Sequence, residues 1–309
     1  MENSSVCPIC AGASGFLLTV ESYDIYRCGD CGHGFLHPYP GAEELEQAYN
    51  TGNSEISNSN SFAMLEAYKK DASQVHYYYK WVLKECRSIL EQSAAGSPRI
   101  LDVGCSTGVV LRCLKDMGYE DVLGIEFNRR SAEAGTGELG VPIISKPAEE
   151  LCSGNEKFDL ILSLALLEHL AEPWKTLQTY HVILNSGGSV LFLVPNFGGF
   201  ARTLMGEKWI WYMPPFHIHH FTVKSMKAMA EAQGFKASKM TTANTGTYLY
   251  LISHMIFGDA RTQLTTKQNI GSLKLARRLD GLARFFLWPG ILLLKSLEKE
   301  AHIVGVITK

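Results

Sequence analysis

Three observations predict an α/β protein with a small cysteine-rich module before its main domain. The chain has 309 residues and is 46% hydrophobic, which is enough for one large core and a smaller appendage. From about residue 97 onward, short apolar runs alternate with segments of helical periodicity, as a doubly wound, mostly parallel sheet requires. Two CxxC pairs stand within the first 31 residues.

The overall charge and the first residues narrow the class of protein. A formal net charge of −2 gives no general attraction to nucleic acid. The first thirty residues lack the basic start and the long apolar stretch of a secretory signal, so we expect a cytoplasmic protein. In a reducing compartment, the eight cysteines are expected to be metal ligands or buried thiols rather than disulfides.

The cysteine-rich module, residues 1–40, is predicted to be a zinc ribbon. Its two CxxC pairs are Cys7 with Cys10 and Cys28 with Cys31, and seventeen residues lie between them. Two such knuckles supply the closed tetrahedral sulfur shell of a structural zinc, and the β-rich segment between them predicts a hairpin. Four unrelated cysteines or two redox pairs are the alternatives. His33 and His37 are interpreted as surface residues or as residues behind the metal ligands.

Residues 41–96 are predicted to form a helical connection, or lid, between the ribbon and the main domain. FAMLEAYKKDASQVHYYYKWVLKECRSIL has helical periodicity, whereas TGNSEISNSNS, residues 51–61, is expected to be a polar loop.

The stretch ILDVGCSTG, residues 100–108, predicts a ligand-binding turn between a buried strand and a helix. A dinucleotide fingerprint would read GxGxxG, but here Asp102, Gly104 and Gly108 form DxGxxxG. A carboxylate at the mouth of the turn is unsuited to a pyrophosphate and suits a cationic ligand, which Gly104 allows to approach the backbone closely.

The next strands supply further candidate contacts. The second strand ends at Glu126, 24 residues after Asp102, close to the offset at which an acid reaches a ribose diol in doubly wound folds. After the third strand, Ala148 and Glu149 are placed to flank an adenine ring. The strands FDLILS and GGSVLFLVPN end beside the same crevice.

Four segments in order, ILDVGCSTG, GIEFN, FDLILSLALLEHL and LNSGGSVLFLVPN, resemble the motifs of class I S-adenosylmethionine-dependent methyltransferases. The resemblance covers about residues 97–250 and implies a Rossmann-like domain over residues 97–309. Its sheet would have seven strands, with the last strand, AHIVGVITK, antiparallel and inserted between the fifth and the sixth. The resemblance implies that S-adenosylmethionine is bound by these residues: Asp102, Gly104, Cys105, Gly108, Glu126, Phe127, Ala148, Glu149 and Leu164.

The ribbon followed by CGHGFLHPYPGAEELEQAY resembles a bacterial subset found with glycan, lipid and secondary-metabolite pathways. We therefore expect methyl transfer to a small-molecule or carrier-linked glycan acceptor, first to oxygen. Transfer to carbon is one alternative, and modification of RNA is another. A nucleic-acid partner is disfavoured because Arg27 is the only Lys or Arg among residues 1–40.

The segment PPFHIHHFT supplies the candidate general base. Imidazole accepts a proton near pH 7, and His217 and His220 match positions that histidine recurrently occupies in the resembled family, whereas His219 does not. We predict His217 as the base, with His220 orienting it or the substrate. A structural role in which the histidines bond backbone before the next helix is the alternative.

Two further features leave alternatives open. Trp209, Trp211 and Tyr212 line a substrate pocket or cap the core. A predicted helical insertion at about residues 255–300 contains residues 261–299, which hold eight Lys or Arg against two acids, a net charge of +6. This segment is expected to pack on the domain, to contact a twin subunit in a homodimer, or to rest on an anionic membrane as a peripheral contact.

Overall fold

The computed structural model describes residues 5–41, 43–45, 47, 53–92, 96–150, 156–243, 293 and 296–309. The chain divides into two compact units. The first unit comprises residues 1–45, 195–226 and 241–304, and the second comprises residues 46–194, 227–240 and 305–309. The first unit therefore combines the predicted ribbon with a part of the chain that follows the fifth strand of the main sheet.

Twelve strands and eight α-helices are recorded among the described residues. The strands are β1 (Ser5–Val6), β2 (Ala13–Val20), β3 (Tyr23–Cys28), β4 (Gly34–Leu36), β5 (Ile100–Val103), β6 (Val122–Glu126), β7 (Ile143–Ser145), β8 (Phe158–Leu164), β9 (Leu184–Pro195), β10 (His219–His220), β11 (Lys236–Ala243) and β12 (His302–Thr308). The helices are α1 (Asn53–Lys70), α2 (Ala72–Tyr78), α3 (Lys80–Leu90), α4 (Val109–Asp116), α5 (Arg129–Leu139), α6 (Pro173–Ile183), α7 (Phe200–Met205) and α8 (Val223–Ala232).

The first unit is built on a five-stranded sheet in the order β1-β2-β3-β4-β10. The predicted hairpin between the two CxxC pairs is confirmed as β2 and β3, which pair antiparallel. The last strand, β10, is added from a distant part of the chain, since His219 pairs with Phe35 and His220 with Gly34. The sheet of the predicted ribbon is thus completed by a strand from the segment PPFHIHHFT, which is called the histidine segment below.

An aromatic core fills the first unit. Trp209 and Tyr212 are 1% and 0% exposed, and they pack with Phe197, Ile25 and Leu36 in one apolar cluster. The sequence left open whether these aromatic residues line a substrate pocket or cap the core. The structure favours core packing for Trp209 and Tyr212, because aromatic rings of this size dominate the burial of a small core.

The predicted loop at residues 51–61 is wrong over its described part. Residues from Asn53 onward form α1, so the Ser/Asn-rich stretch is helical despite the weak helix propensity of those residues. Helix α2 follows directly and is capped by Asp71, whose side chain accepts a hydrogen bond from Ser73 N at 3.1 Å.

The second unit contains the main sheet, a seven-stranded sheet in the order β11-β12-β9-β8-β5-β6-β7. The pairs β5 with β6, β5 with β8, β6 with β7 and β8 with β9 are parallel. The carboxyl ends of β5, β6 and β8 therefore meet at one edge of the sheet.

The last strand, β12, lies between β9 and β11, as the sequence predicts. Lys309 N donates to Gly188 O at 3.0 Å, and Asn196 N donates to Ala301 O at 2.9 Å, so the end of β12 opposes the start of β9. This pattern is antiparallel. Both the position and the direction predicted for the last strand are confirmed.

Among the described residues, none of the helices combines the length and the apolar character that crossing a bilayer would demand. The predicted insertion at residues 255–300, and with it the predicted membrane or homodimer contact, lies outside the described residues except for residues 293 and 296–300.

Candidate functional site

The two CxxC turns share one backbone pattern. Cys7 O accepts from Ala11 N at 3.0 Å, and Cys28 O accepts from Gly32 N at 3.2 Å. Each first cysteine also donates its N–H five residues onward, Cys7 to Gly12 O and Cys28 to His33 O, both at 2.9 Å. Ala11 and Gly32 have φ values of 57° and 72°. Two equivalent knuckles thus turn their thiols toward one point.

The four thiols converge tightly enough to share one ion. The Sγ atoms of Cys7, Cys10, Cys28 and Cys31 all lie within 4.8 Å of one another. Cys7 Sγ is 3.7 Å from Cys31 Sγ, and Cys10 Sγ is 3.5 Å from Cys28 Sγ. Sulfur atoms at ~2.3 Å from a tetrahedral zinc would be about 3.8 Å apart. The donor set and its spacing therefore fit a closed Zn²⁺ site.

The turn after β5 has the backbone geometry that the glycines predict. Gly104 and Gly108 have φ values of 75° and 69°, and Gly108 is the residue directly before α4. A Cβ at Gly104 would lie 3.2 Å from the Leu166 side chain. Ser106, between them, also adopts a positive φ, 57°, which costs free energy for a residue with a side chain and is typical of functional turns.

Two carboxylates stand at the carboxyl ends of the adjacent strands β5 and β6. Asp102 is 3% exposed, and burial followed by the nearby Glu126 charge raises the pKa of Asp102 to about 8. Burial also raises the pKa of Glu126. Two acids held together away from water favour a cation between or beside them, because the cation restores the charged form of both.

Glu126 also organises the turn that holds the glycines. Its Oε2 accepts from Ser106 N at 2.8 Å, and its Oε1 accepts from Asn128 N at 2.7 Å. Asn128 in turn caps α5 by accepting from Ser131 N at 3.0 Å. Each carboxylate oxygen retains lone pairs for a ligand hydroxyl, so the side chain is fixed in place without being saturated.

The other predicted cofactor residues take different positions in the second unit. Cys105 is buried in the core, and a Cβ added at Gly124 would lie 2.5 Å from its Sγ, so the thiol packs beneath the turn. Phe127 is 63% exposed directly after β6. Ala148 is buried and Glu149 lies in the same short 3-10 turn, while Leu164 ends β8.

Glu168 is a further candidate site residue, which belongs to the LEHL part of the third segment that resembles the methyltransferases. It lies in a 3-10 turn directly after β8, is 1% exposed, and its Oε2 has no hydrogen-bond partner among the described residues. Burial raises the pKa of Glu168 to about 8. The signal in the sequence was the LEHL segment at the end of the fourth strand.

Helix α1 contacts the glycine turn that follows β5. Thr107 Oγ1 donates to Ser61 O at 3.3 Å, and the Arg130 guanidinium lies 5.0 Å from the centre of the Phe62 ring. Ser61 is the last residue of the predicted loop and Phe62 begins the predicted helical segment, so both contacts join the middle of α1 to the residues that follow β5 and β6.

The candidate base His217 belongs to the first unit and is 4% exposed. Its Nδ1 lies 2.7 Å from Trp211 O, and the two rings stack with centres 6.3 Å apart and planes 9° apart. A carbonyl oxygen only accepts, so Nδ1 carries the proton and Nε2 is the acceptor nitrogen. This is the tautomer that a general base requires.

The other two histidines of the segment are buried in the first unit. His219 Nδ1 lies 3.0 Å from His33 Nε2, and His33, which the sequence placed at the surface or behind the metal ligands, is 0% exposed. His220 is 2% exposed, and burial lowers its pKa to about 3. Its Nε2 has no partner among the described residues. The role predicted for His220 and the placement of His217 at the methyl donor stay predictions.

Curated relatives match one part of the chain. A ubiquinone biosynthesis O-methyltransferase of Cereibacter sphaeroides is 28% identical over 131 residues, which is 40% of this chain and 53% of that protein. The enzyme of the same name from Azorhizobium caulinodans is 29% identical over 153 residues, 46% of this chain and 60% of that protein. The chain thus spans about half the length of the curated relatives it matches.

Solved structures support the fold. The plantazolicin methyltransferase BamL, in complex with a triazolic desmethylPZN analog and SAH, aligns with a TM-score of 0.53 at 14% identity over 85% of this chain and 93% of that chain. The [4+2]-cyclase SpnF aligns with a TM-score of 0.52 at 15% identity over 88% and 98%. Since these two proteins are named for different reactions, the fold by itself does not assign one.

The family model described as "Methyltransferase domain" matches residues 72–239. This match spans more than half of the 309 residues, and it includes the turn after β5, Glu126 and the histidine segment. The methyltransferase predicted from the four motifs is therefore confirmed at this level: the chain belongs to the methyltransferase domain family.

Proposed function

We propose that the protein transfers the methyl group of S-adenosylmethionine to an oxygen atom of a small-molecule or carrier-linked acceptor. The observation that carries this proposal is the pair of carboxylates, Asp102 and Glu126, at the ends of adjacent parallel strands beside a glycine turn. In a member of the methyltransferase domain family, this pair suits a cationic, ribose-bearing cofactor better than a pyrophosphate.

In this proposal the two acids have distinct tasks. Asp102 holds the cationic amino-acid end of the cofactor, and Glu126, already fixed by Ser106 N and Asn128 N, accepts hydrogen bonds from the ribose hydroxyls. Gly104 allows the ligand to approach the backbone. The cofactor supplies an electrophilic methyl group, so the protein has to align the acceptor and remove its proton.

His217 is the group proposed to take that proton. Its Nδ1–H is held by Trp211 O, so in this tautomer Nε2 is the nitrogen that would accept the proton. Oxygen as the methylated atom is supported by the names of the relatives, which are O-methyltransferases. Transfer to carbon and modification of RNA remain the competing activities, and no feature of the described residues favours either one.

We further propose that Cys7, Cys10, Cys28 and Cys31 bind one structural Zn²⁺ as thiolates. The convergence of the four Sγ atoms and the two equivalent knuckle turns support it. A closed shell of four thiolates has no open position for a substrate, so the ion would contribute to folding rather than to the reaction.

Calorimetric titration of the purified chain with S-adenosylmethionine tests the cofactor assignment, and NAD serves as the comparison ligand. We expect binding of S-adenosylmethionine and none of NAD. The acceptor is then sought by incubating the protein with extracts and a methyl-labelled cofactor, followed by mass spectrometry for the gain of one labelled methyl group on oxygen. Tight binding of NAD without binding of S-adenosylmethionine would overturn the proposal.

A further inference from the structure

Trp211 differs in burial from the two other aromatic residues of its segment. Trp209 and Tyr212 are 1% and 0% exposed and belong to the core of the first unit. The indole of Trp211 is only half-buried and packs against that core without being enclosed by it. Core packing therefore explains the first two residues better than it explains the third.

Two imidazole rings contact this indole within the first unit. The His217 ring is stacked on it with an offset, since the ring centres are 6.3 Å apart and the planes differ by 9°. The His302 ring meets it at 70°, with the ring centres 5.3 Å apart. These are the offset-stacked and edge-to-face arrangements that aromatic pairs prefer. The indole thus joins the proposed base to the first residue of β12.

His302 gives the indole a fixed and uncharged neighbour. Its side chain is 7% exposed, and burial lowers the pKa of His302 to about 4, so the ring is neutral near pH 7. The backbone before it is held by Asn196, whose N donates to Ala301 O at 2.9 Å and whose Nδ2 donates to Glu300 O at 2.8 Å. The ring that supports the indole is therefore itself held in place.

The loop from Trp211 to His217 is closed by two hydrogen bonds and contains a strained residue. Trp211 O accepts from His217 Nδ1 at 2.7 Å, and Met213 O accepts from His217 N at 3.1 Å. Met213 has a φ of 39°, which costs free energy for a residue with a side chain and persists only where the surrounding contacts fix the backbone. The carbonyl and the indole of Trp211 therefore contact the same imidazole.

We propose that Trp211 is a positioning residue for His217. Its indole, supported by His302, fixes the plane of the imidazole ring, and its carbonyl fixes the tautomer. A general base has to lie within hydrogen-bond reach of the proton that it removes, and a small displacement of such a group lowers the rate strongly. The effect on the rate rests on the proposed function of His217, whereas the dependence of the imidazole orientation on the indole does not.

Nuclear magnetic resonance of the full-length, zinc-loaded protein with isotope-labelled histidine tests the orientation without an acceptor. In the wild type, the His217 ring protons should be shifted by the ring current of the indole, and the ring nitrogens should report one tautomer protonated at Nδ1. Trp211→Leu should abolish the ring-current shift and give a mixture of tautomers. Trp211→Phe keeps an aromatic face and should keep the single tautomer. The signals are assigned with His217→Gln.

Variants of two other rings provide the controls. His302→Ala removes the support of the indole and should weaken the ring-current shift of His217, whereas His302→Phe keeps an aromatic edge and should preserve it. Trp81→Leu is the matched control, because Trp81 is a half-buried tryptophan that packs against the apolar core of the second unit. It should leave the His217 signals unchanged. Thermal midpoints of all variants confirm that the proteins compared are folded.

Kinetics with an identified acceptor provide the second readout. Trp211→Leu should lower kcat by roughly 10- to 100-fold with KM unchanged, the range for a displaced catalytic group, and Trp211→Phe should restore most of the loss. The proposal is overturned if Trp211→Leu keeps the single tautomer, or if it keeps wild-type kcat while His217→Ala loses activity. Full activity of His217→Ala would instead reject the proposed base, and the resonance data would then stand by themselves.

Discussion

His33 Nε2 and His219 Nδ1 lie 3.0 Å apart although 186 positions of the sequence separate them. The contact is one of several between the second knuckle and the histidine segment. Thr222 Oγ1 donates to Cys31 O at 2.7 Å, and Lys224 Nζ donates to Asp30 O at 2.7 Å. The cysteine cluster and the strand that follows the candidate base are therefore parts of one folded unit.

Removal of the metal is expected to disturb that unit. The purified protein should contain about one zinc per chain, and Cys28→Ser should lose it because three thiolates do not close the shell. Metal analysis checks the content. Fluorescence of Trp209 and Trp211, which belong to the same unit, should change on chelation. Cys86→Ala, outside the cluster, should keep the metal. Full zinc occupancy in Cys28→Ser would reject the assignment.

Protonation of Asp102 predicts a pH-dependent cofactor affinity. With a pKa of about 8, Asp102 is mostly neutral at pH 7, and a cationic ligand must displace its proton. Binding of S-adenosylmethionine at pH 7 should therefore release protons and strengthen as the pH rises toward 8. Calorimetry in two buffers of different ionisation enthalpy measures the release. Binding with no proton change across this range contradicts the expectation.

The raised pKa of Asp102 also predicts how the stability of the ligand-free protein depends on pH. An Asp has a pKa of about 3.9 when unfolded, and about 8 here when folded. The folded state thus binds the extra proton, and stability falls as the pH rises from the lower value to the higher one. Asp102→Asn should remove this loss of stability. The difference in melting temperature between the variant and the wild type should therefore be larger at pH 8 than at pH 5. Each kcal/mol of stability corresponds to a shift of ~2–4 °C in melting temperature.

Glu126→Gln tests the ribose contact. We expect the affinity for S-adenosylmethionine to fall by about 1.5–3 kcal/mol, the range for hydrogen bonds to a charged group. The amide retains one oxygen for Ser106 N or Asn128 N, so the fold should persist. Glu133→Gln, which breaks only an exposed ion pair with Arg129, is the control and should bind normally. Unchanged affinity in Glu126→Gln would remove this residue from the site.

Substitution of two glycines of α5 by alanine should change the stability of the protein in opposite directions. A Cβ at Gly135 would lie 2.6 Å from Thr107 O in the cofactor turn, whereas a Cβ at Gly137 would meet nothing within 4 Å. Gly137→Ala should stabilise the protein by ~0.5–1 kcal/mol through helix propensity. Gly135→Ala should destabilise it by ~1–3 kcal/mol and displace the turn. Chemical unfolding measures both, and equal effects would contradict the packing described here.

The proposed base is tested once an acceptor is known. His217→Ala should lower kcat by roughly 10²- to 10⁴-fold while the affinity for S-adenosylmethionine is unchanged. His37→Ala, which removes an exposed histidine of the first unit, should have wild-type kcat. Activity of His217→Ala within a few-fold of the wild type would leave alignment of donor and acceptor as the main catalytic device.

The local features of the sheet could be predicted from the sequence. The glycine turn, the acids that end β5 and β6 and the insertion of β12 all depend on motifs or on strand order, and they are as expected. The pairing of β10 with β4 could not be predicted, because no short pattern marks a contact across more than 180 residues. The helical start of α1 was missed because Ser and Asn have weak helix propensity, and tertiary contacts such as that of Ser61 with Thr107 override it.

The position of β12 bears on how the chain reaches its folded state during synthesis. Residues 302–308 separate β9 from β11 in the sheet, and Gly305 lies against the Phe192 ring, where a larger residue would not fit. Until those residues leave the ribosome, β9 and β11 both lack the strand that lies between them in the described sheet. The nascent chain is therefore expected to depend on chaperones at this stage, and pulse-labelled ribosome-bound fragments that stop before residue 302 should be protease-sensitive.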